Sequence, residues 1–276
     1  MNVAADTIAA PVNASAPVQR GLRRAMQPGG LHAVAYIVRS LCLPVLLTVT
    51  CAAEPPAGFT PLFNGRDLAG WRGRPHLDPA KEAEGTDAER AARQAKWDAD
   101  LASHWKVENG VIVSDGRGVF LTTDRDYADV EISLEWMFPR PCGDSGVYLR
   151  GNPQVQLWDP ACERDFKHGN QKGSGGLWNN PAGSAGKDPL VKADRPIGEW
   201  NTTRIRMQGD RVTVMLNDQL VVDNQPLPNF FAKGRAPLPE RGPIQIQTHG
   251  APMHVRNVFI RELPASNPRA TGTPAR

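Results

Sequence analysis

Short runs of alternating apolar and polar residues follow one another along most of the chain after residue 104. The most regular run is residues 129–136, whose apolar positions are Val130, Ile132, Leu134 and Trp136. Successive side chains of a β-strand point to opposite faces, so this period of two predicts strands that bury one side. Further strands are predicted near residues 105–113, 119–123, 145–158, 200–208, 211–217, 219–223, 243–247 and 255–263. Many short strands with polar turns, and no linker between them, predict one all-β domain with a β-sandwich or jelly-roll fold.

Residues 79–103 break this pattern, because they are rich in Ala, Glu, Lys and Arg and lack strand alternation. Thr86 precedes the longest such stretch and has the side chain of a preferred helix N-cap. We therefore expect a short helical insertion in the β domain, packed against it by Trp97 and Leu101.

The runs at 145–150 and 154–158 are joined by Gly-Asn-Pro, which predicts a β-hairpin. One face of this hairpin is apolar and consists of Val147, Leu149, Val155 and Leu157. The other face consists of Tyr148, Arg150, Gln154, Gln156 and Trp158. Amide and guanidinium groups bind hydroxyls, and aromatic rings stack on the apolar faces of sugar rings. This composition predicts a sugar-binding surface.

Outward positions of other predicted strands add to this set, and they are Glu131, Glu135, Gln245, Gln247 and His249. Each of them could alone be a solvated or structural side chain, so the hypothesis depends on their co-occurrence. Glu131 and Glu135 share a face, but four residues of strand separate their α-carbons by roughly 13 Å. Glycosidase carboxyl pairs are about 5–9.5 Å apart. The standard two-carboxylate mechanism is therefore disfavoured.

Residues 1–53 read as a leader separate from the β domain at 54–264. Four Arg residues precede an apolar run at 41–49, and small residues follow it, which is typical of a secretory signal peptide. We expect an exported protein, periplasmic or extracellular, with no stable membrane span. The alternative is a lipoprotein anchored through Cys51. Met26 is a candidate internal start codon. Residues 265–276 are rich in Pro, Ala, Ser and Thr, and we expect a disordered tail.

Charge argues against a nucleic-acid partner. The chain has 32 basic and 29 acidic residues, and removing the four Arg and one Asp of residues 1–53 leaves 28 of each. The domain lacks the basic surplus that nucleic-acid binding requires.

Two further segments are of interest. Cys142 and Cys162 flank the hairpin and could form a disulfide or remain two thiols, and the sequence leaves both open. Residues 165–190 form a long Gly- and Asn-rich segment containing Trp178 and Asn179, and long loops in compact domains are usually functional or mobile.

Six segments together make the chain recognisable. They are 59–71 (FTPLFNGRDLAGW), 105–110 (WKVENG), 144–159 (DSGVYLRGNPQVQLWD), 173–180 (GSGGLWNN), 198–201 (GEWN) and 242–250 (GPIQIQTHG). Over residues 58–263 the sequence resembles the 3-keto-disaccharide hydrolase domain family, which is abundant in secreted proteins of the planctomycete type. The resemblance implies a concanavalin A-like jelly roll that acts on 3-keto-glycosides.

Such a substrate suggests elimination chemistry. A ketone at carbon 3 acidifies the hydrogen on carbon 2, so a base can form an enolate that expels the carbon-1 substituent, and water then adds. The path requires a general base, an enolate stabiliser and a donor to the leaving oxygen. His249 is the first candidate base, because imidazole titrates near neutrality, and Glu135 is the second. Arg150 is the candidate stabiliser.

The remaining roles concern binding. A divalent cation could assist Arg150, held with the help of Asp159 or Glu135. Substrate binding is assigned to Tyr148, Gln154, Gln156, Trp158, Trp178, Asn179 and Gln247. The alternative function is a non-catalytic, lectin-like carbohydrate-binding module, because a fold does not determine function.

Overall fold

The computed structural model describes residues 53–265. The predictions for the leader, Cys51, Met26 and the tail beyond residue 265 therefore concern residues outside the described range. Within residues 53–265, no helix is long and apolar enough to cross a membrane.

Two antiparallel sheets form the domain. The larger contains eight strands: β1 (Thr60–Pro61), β3 (Trp105–Glu108), β4 (Val111–Ser114), β6 (Val130–Met137), β9 (Asn201–Gln208), β10 (Arg211–Leu216), β11 (Gln219–Pro226) and β13 (Met253–Glu262). The smaller contains five strands: β2 (Trp71–Arg74), β5 (Phe120–Thr123), β7 (Asp144–Tyr148), β8 (Gln154–Trp158) and β12 (Gln245–Ile246). The strand order is β11-β10-β9-β6-β13-β4-β3 in the larger sheet, with β1 paired to β13, and β2-β5-β12-β7-β8 in the smaller.

The apolar faces of the two sheets form one core. The predicted inward residues of β6 are all buried, and so are the apolar residues of the β7–β8 hairpin. Trp136 is the largest fully buried side chain, and its indole Nε1 donates to Thr203 Oγ1 at 2.8 Å. A buried indole N–H needs such a partner. The all-β jelly-roll sandwich predicted from the alternation is confirmed.

The helical insertion is also present, as α1 (Pro79–Glu82) and α2 (Asp87–His104). Thr86 caps α2 and forms a reciprocal capping box with Glu89. The insertion packs against the edge strand β2, where a Cβ on Gly73 would lie 2.2 Å from the carbonyl oxygen of Trp97. The close approach therefore requires glycine at residue 73, and the insertion covers a sheet edge that would otherwise be open.

Cys142 and Cys162 are joined by a disulfide, with their α-carbons 4.9 Å apart. This resolves the alternative left open by the sequence. The bond links the segment before β7 to the segment after β8, so it holds both ends of the hairpin that carries the predicted sugar-binding residues.

We expect the double variant Cys142→Ser/Cys162→Ser to lose about 3 kcal/mol of unfolding free energy, because the bond closes a loop of this length in the unfolded chain. Urea denaturation under non-reducing conditions measures the loss. Adding a reductant should destabilise the wild-type protein and leave the double variant unchanged. A variant with the same denaturation midpoint as the wild type would contradict the prediction.

Candidate functional site

The outer face of the five-stranded sheet carries most of the predicted sugar-binding residues. Val147 and Val155 pair across β7 and β8 and face the core, so the alternate side chains point outward. The chain beyond β12 continues the ladder, since the Gln247 N–H donates to the carbonyl oxygen of Gly146 at 3.0 Å. We call the resulting surface the amide face, and it consists of Asp144, Gly146, Tyr148, Gln154, Gln156, Trp158, Gln247 and His249.

A hydrogen-bonded His–Asp pair lies at one end of the amide face. His249 Nδ1 is 2.8 Å from Asp144 Oδ2, and the His249 side chain is 62% exposed. A carboxylate can only accept, so Nδ1 carries the hydrogen and donates. The other ring nitrogen, Nε2, is then the basic atom of the neutral imidazole. The sequence predicted His249 but assigned no role to Asp144.

Asp144 changes the proton affinity of its partner. The hydrogen bond to Asp144 raises the pKa of His249, burial opposes it, and Coulombic attraction to the same carboxylate adds to the increase. The imidazole therefore holds its proton to higher pH than a solvated histidine. Such a group can accept a proton from a substrate and return it to a leaving oxygen.

A chain of amides supports the carboxylate. Gln156 Nε2 donates to Asp144 Oδ1 at 2.7 Å, and Gln154 Nε2 donates to Gln156 Oε1 at 2.5 Å. Both glutamines are buried, unlike the exposed positions predicted from the sequence. The chain fixes the orientation of Asp144 and hence of the imidazole that it binds.

Two amide oxygens of this face have no hydrogen-bond partner among the described residues. They are Gln154 Oε1 and Gln247 Oε1, and both are buried. A Cβ on Gly146 would lie 2.9 Å from Gln154 Oε1, so glycine is what allows the Gln154 amide to pack against this strand. An unpaired buried acceptor costs about 1–3 kcal/mol, which a ligand hydroxyl would offset. The two oxygens are therefore candidate acceptors for the hydroxyl groups of a ligand.

Tyr148 lies at the opposite end of the face from Asp144. Its hydroxyl accepts from Gln247 Nε2 at 3.3 Å. Burial raises the pKa of Tyr148, and the Coulombic effect of Asp144 raises it further. The phenol therefore keeps its proton at neutral pH and acts as a hydrogen-bond donor rather than as a base.

The prediction that Arg150 lies on this face is wrong. Its backbone has φ of +53°, so the alternation of β7 ends before it and the side chain turns away. Arg150 Nη2 pairs with Asp129 at 2.9 Å, and both side chains are 5% exposed. Its Nη1 and Nε donate to the carbonyl oxygens of Pro239 and Ala128. Each of the three guanidinium nitrogens thus donates to a protein acceptor, which indicates a structural role.

Glu135 does not join His249 either, which corrects its prediction as a second base. It lies on β6 of the eight-stranded sheet and points outward, whereas His249 lies over the outer face of the other sheet. Its carboxylate accepts from Arg256 Nε at 2.8 Å and from Asn257 Nδ2 at 2.7 Å. The core of the sandwich separates Glu135 from the amide face.

The same separation argues against the predicted cation site. Asp159 follows β8, and its two carboxylate oxygens accept the backbone N–H groups of Cys142 and Ala161. Asp159 and Glu135 therefore belong to different sheets, and each is already bonded to protein. In the part of the chain that the structure describes, no group of three or more His, Cys, Asp or Glu side chains could hold a metal ion. The donor set does not fit a divalent cation.

The 165–190 segment borders the amide face at strand β8. It follows the outer edge of that strand, since Gly175 N–H donates to Gln156 O at 2.7 Å and Gln156 N–H donates to Gly176 O at 2.8 Å. Asn179 Oδ1 accepts the backbone N–H of Gln154 at 2.9 Å, so this amide holds the strand.

The two tryptophans lie at this border. Trp158 Nε1 donates to Gly173 O at 2.7 Å, and its buried ring meets Trp178 edge to face at 5.6 Å. Lys187 Nζ lies 3.9 Å from the centre of the Trp178 ring. Trp158 is therefore covered by the segment, and stacking of either tryptophan on a sugar stays a prediction.

Comparisons with solved structures show a similar fold. A provisionally assigned glycosyl hydrolase from Parabacteroides distasonis ATCC 8503 is 23% identical, with 75% of this chain and 94% of that chain covered and a TM-score of 0.50. A second such protein from the same organism is 22% identical, with coverages of 70% and 99% and a TM-score of 0.47. The first likeness supports the fold alone. None of the curated proteins matches the chain.

A family model agrees with the resemblance found in the sequence. The model describes a 3-keto-alpha-glucoside-1,2-lyase-like domain and matches residues 58–261. The match spans nearly the whole described domain, including the His–Asp pair and the amide face. The chain therefore belongs to the family of 3-keto-alpha-glucoside-1,2-lyase-like domains.

Proposed function

We propose that this protein cleaves 3-keto-glycosides by elimination followed by hydration. The observation that carries the proposal is the exposed His249 held by Asp144 at 2.8 Å beside a face of amide acceptors. The family and the composition of the face support action on a carbohydrate. The chemistry needs one well-placed base, and a histidine oriented by a carboxylate is such a base.

The reaction consists of proton abstraction, elimination and hydration. His249 Nε2 takes the proton from carbon 2, and the electron pair forms an enolate with the ketone at carbon 3. The enolate collapses to a carbon 1–carbon 2 double bond as the carbon 1–oxygen bond breaks, and the leaving oxygen receives a proton from the imidazolium. Water then adds to carbon 1 while carbon 2 regains a proton. The products are a 3-keto sugar and an alcohol.

Other residues of the amide face position the sugar. Gln154 Oε1 and Gln247 Oε1 accept hydrogen bonds from ring hydroxyls, since both are buried without a partner among the described residues. Tyr148 donates its phenolic hydrogen to a sugar oxygen. Arg150 plays no part in these steps, because its donors are directed to Asp129 and to backbone carbonyls.

Incubation of the protein with a 3-keto-glucoside in heavy water tests the proposal. We expect release of the alcohol together with deuterium at carbon 2 of the sugar, because the proton on the exposed imidazole exchanges with solvent. The unoxidised glucoside is the control and should remain intact, since its carbon 2 hydrogen is not acidic. Release without deuterium would indicate direct displacement and contradict the elimination.

The second candidate function is a non-catalytic carbohydrate-binding module. The two unpartnered amide oxygens favour it, because they would bind hydroxyls whether or not a reaction follows. Saturable binding of both the oxidised and the unoxidised glucoside, with no release of alcohol from either, would support this function and exclude the enzyme.

A further inference from the structure

A cluster of aromatic rings adjoins the amide face at its Tyr148 end. We call it the ring cluster, and it consists of His76, Phe120, Tyr148, Phe230 and Phe231. The His76 ring lies 4.4 Å from that of Tyr148, 5.0 Å from Phe230 and 4.8 Å from Phe231, between centroids. Phe120 lies 5.4 Å from Tyr148. These separations and tilts are those of favourable aromatic contacts.

The cluster continues the proposed catalytic face. Tyr148 belongs to both surfaces, and Asp144 lies four residues before it on β7, at roughly 13 Å along the strand. A sugar ring beside His249 would therefore have one side directed along β7 toward the ring cluster. A substituent at carbon 1 that points in this direction meets aromatic surface.

The polar atoms of His76 and Asn152, which adjoin the cluster, are already bonded to protein. His76 Nε2 is 2.8 Å from the carbonyl oxygen of Asn152. The Asn152 side chain accepts the N–H of Phe230 at 2.6 Å and donates to Asn229 at 3.1 Å. Burial lowers the pKa of His76, so its ring is uncharged at neutral pH.

The guanidinium group of Arg74, close to His76 in the sequence, is also hydrogen-bonded to protein. Arg74 is fully buried, and it donates to the carboxylate of Glu82, to Gln245 Oε1 and to the carbonyl oxygen of Leu77. By contrast, Phe230 is 43% exposed. Beyond the Tyr148 hydroxyl and the Gln247 amide, this end of the face presents mainly ring surface.

We propose that the departing group of the substrate is an aryl-bearing alcohol whose ring packs against the ring cluster. The inference rests on the proposed cleavage reaction and names its substrate class. A second sugar at this position would bring hydroxyls that need partners, and leaving them unpaired costs binding energy. An aromatic ring needs no such partners and gains edge-to-face or offset contacts.

Three 3-keto-glucosides test the proposal: the benzyl, the methyl and the glucosyl compound. Benzyl alcohol and methanol are leaving groups of similar acidity, so their comparison isolates binding. We expect KM for the benzyl compound to be about tenfold lower than for the methyl compound. A preference for the glucosyl compound over the benzyl compound would overturn the proposal while leaving the cleavage reaction intact.

The variant Phe230→Ala tests whether the ring cluster causes the lower KM of the benzyl compound. We expect KM for the benzyl compound to rise about three- to tenfold, with kcat and the methyl compound unaffected. Leu220→Ala is the matched control, because Leu220 is 38% exposed and lies on β11 of the other sheet. An equal rise for the benzyl and methyl compounds would overturn the proposal.

Binding measurements test this proposal independently of the cleavage reaction on which it rests. If none of the three compounds is cleaved, the proposed function fails, and titration with unoxidised benzyl and methyl glucoside still decides the question of the ring cluster. Tighter binding of the benzyl compound, lost in Phe230→Ala, supports the aromatic subsite. Equal binding of both compounds overturns it.

Discussion

Replacement of His249 by alanine is expected to lower kcat for a 3-keto-glucoside about 100- to 10,000-fold, the usual contribution of a general base. The KM should change little, because the amides to which we assign hydroxyl binding remain. The His249 side chain is 62% exposed, so its removal leaves the core intact. Initial rates of alcohol release, with the melting temperature as a check on folding, provide the measurement.

Added imidazole provides a second test of His249 as the base. The position of His249 is open to solvent, so free imidazole can enter the space left by the alanine and take the carbon 2 proton. We expect imidazole to restore part of the rate, with deuterium incorporation restored in proportion. A rate within twofold of the wild type, without imidazole, would exclude His249 as the base.

The chain offers a matched control for this variant. His104 at the end of α2 also places Nδ1 near a carboxylate, 3.0 Å from Asp115 Oδ2. It lies outside the amide face. His104→Ala should therefore leave kcat unchanged, which would show that loss of a His–Asp pair as such does not impair the protein.

The alternation of apolar and polar residues predicted which hairpin side chains point to the amide face, because the opposite side of the same hairpin is apolar. Val147 and Val155 must enter the core, so the period of two fixes where Gln154 and Gln156 point. Their burial could not be read from the pattern. Burial depends on the surrounding fold, including the loop that runs along β8, and so on contacts distant in sequence.

The same rule failed at Arg150 and Glu135 for two different reasons. Arg150 lies at the turn, where φ of +53° ends the alternation, and the Gly-Asn-Pro that follows it was the signal of that turn. Glu135 does point outward, but alternation fixes the face of a strand and not the sheet that the strand joins. Sheet membership follows from long-range pairing of β6 with β9 and β13.

The missed residues have their partners far away in the sequence. Asp144 bonds His249 across 105 residues, and it begins β7 after a glycine, where the local pattern resembles a turn. The ring cluster joins His76, from the loop after β2, to Phe230 and Phe231, from a segment without strand period. Only the fold brings these groups together.

Replacement of Asp144 by asparagine is expected to lower kcat/KM by up to about 10,000-fold, although the residue never touches the reacting atoms. Asp144 receives two donors, Gln156 Nε2 on one oxygen and His249 Nδ1 on the other. Asparagine has one oxygen for both. If that oxygen stays with Gln156, the amide NH₂ faces Nδ1, and the neutral imidazole must carry its hydrogen on Nε2. That tautomer cannot accept the carbon 2 proton.

The pH profile distinguishes this positioning role from a loss of folding. The base is the neutral imidazole, so kcat/KM of the wild type rises with pH through the pKa of His249 and is constant above it. Asp144 raises that pKa. In Asp144→Asn the negative charge is gone, so the pKa falls and the rising limb moves to lower pH. A merely structural defect would lower the rate without moving the limb.

Asp115→Asn provides the comparison, because Asp115 pairs with His104 in the same way outside the amide face. It should change neither the rate nor the profile. If Asp144→Asn lowers the rate but keeps the wild-type pH limb, then the loss is a structural defect and the positioning role of Asp144 is excluded. If the limb moves while the plateau rate is kept, then Asp144 sets the proton affinity of His249 but does not select its tautomer.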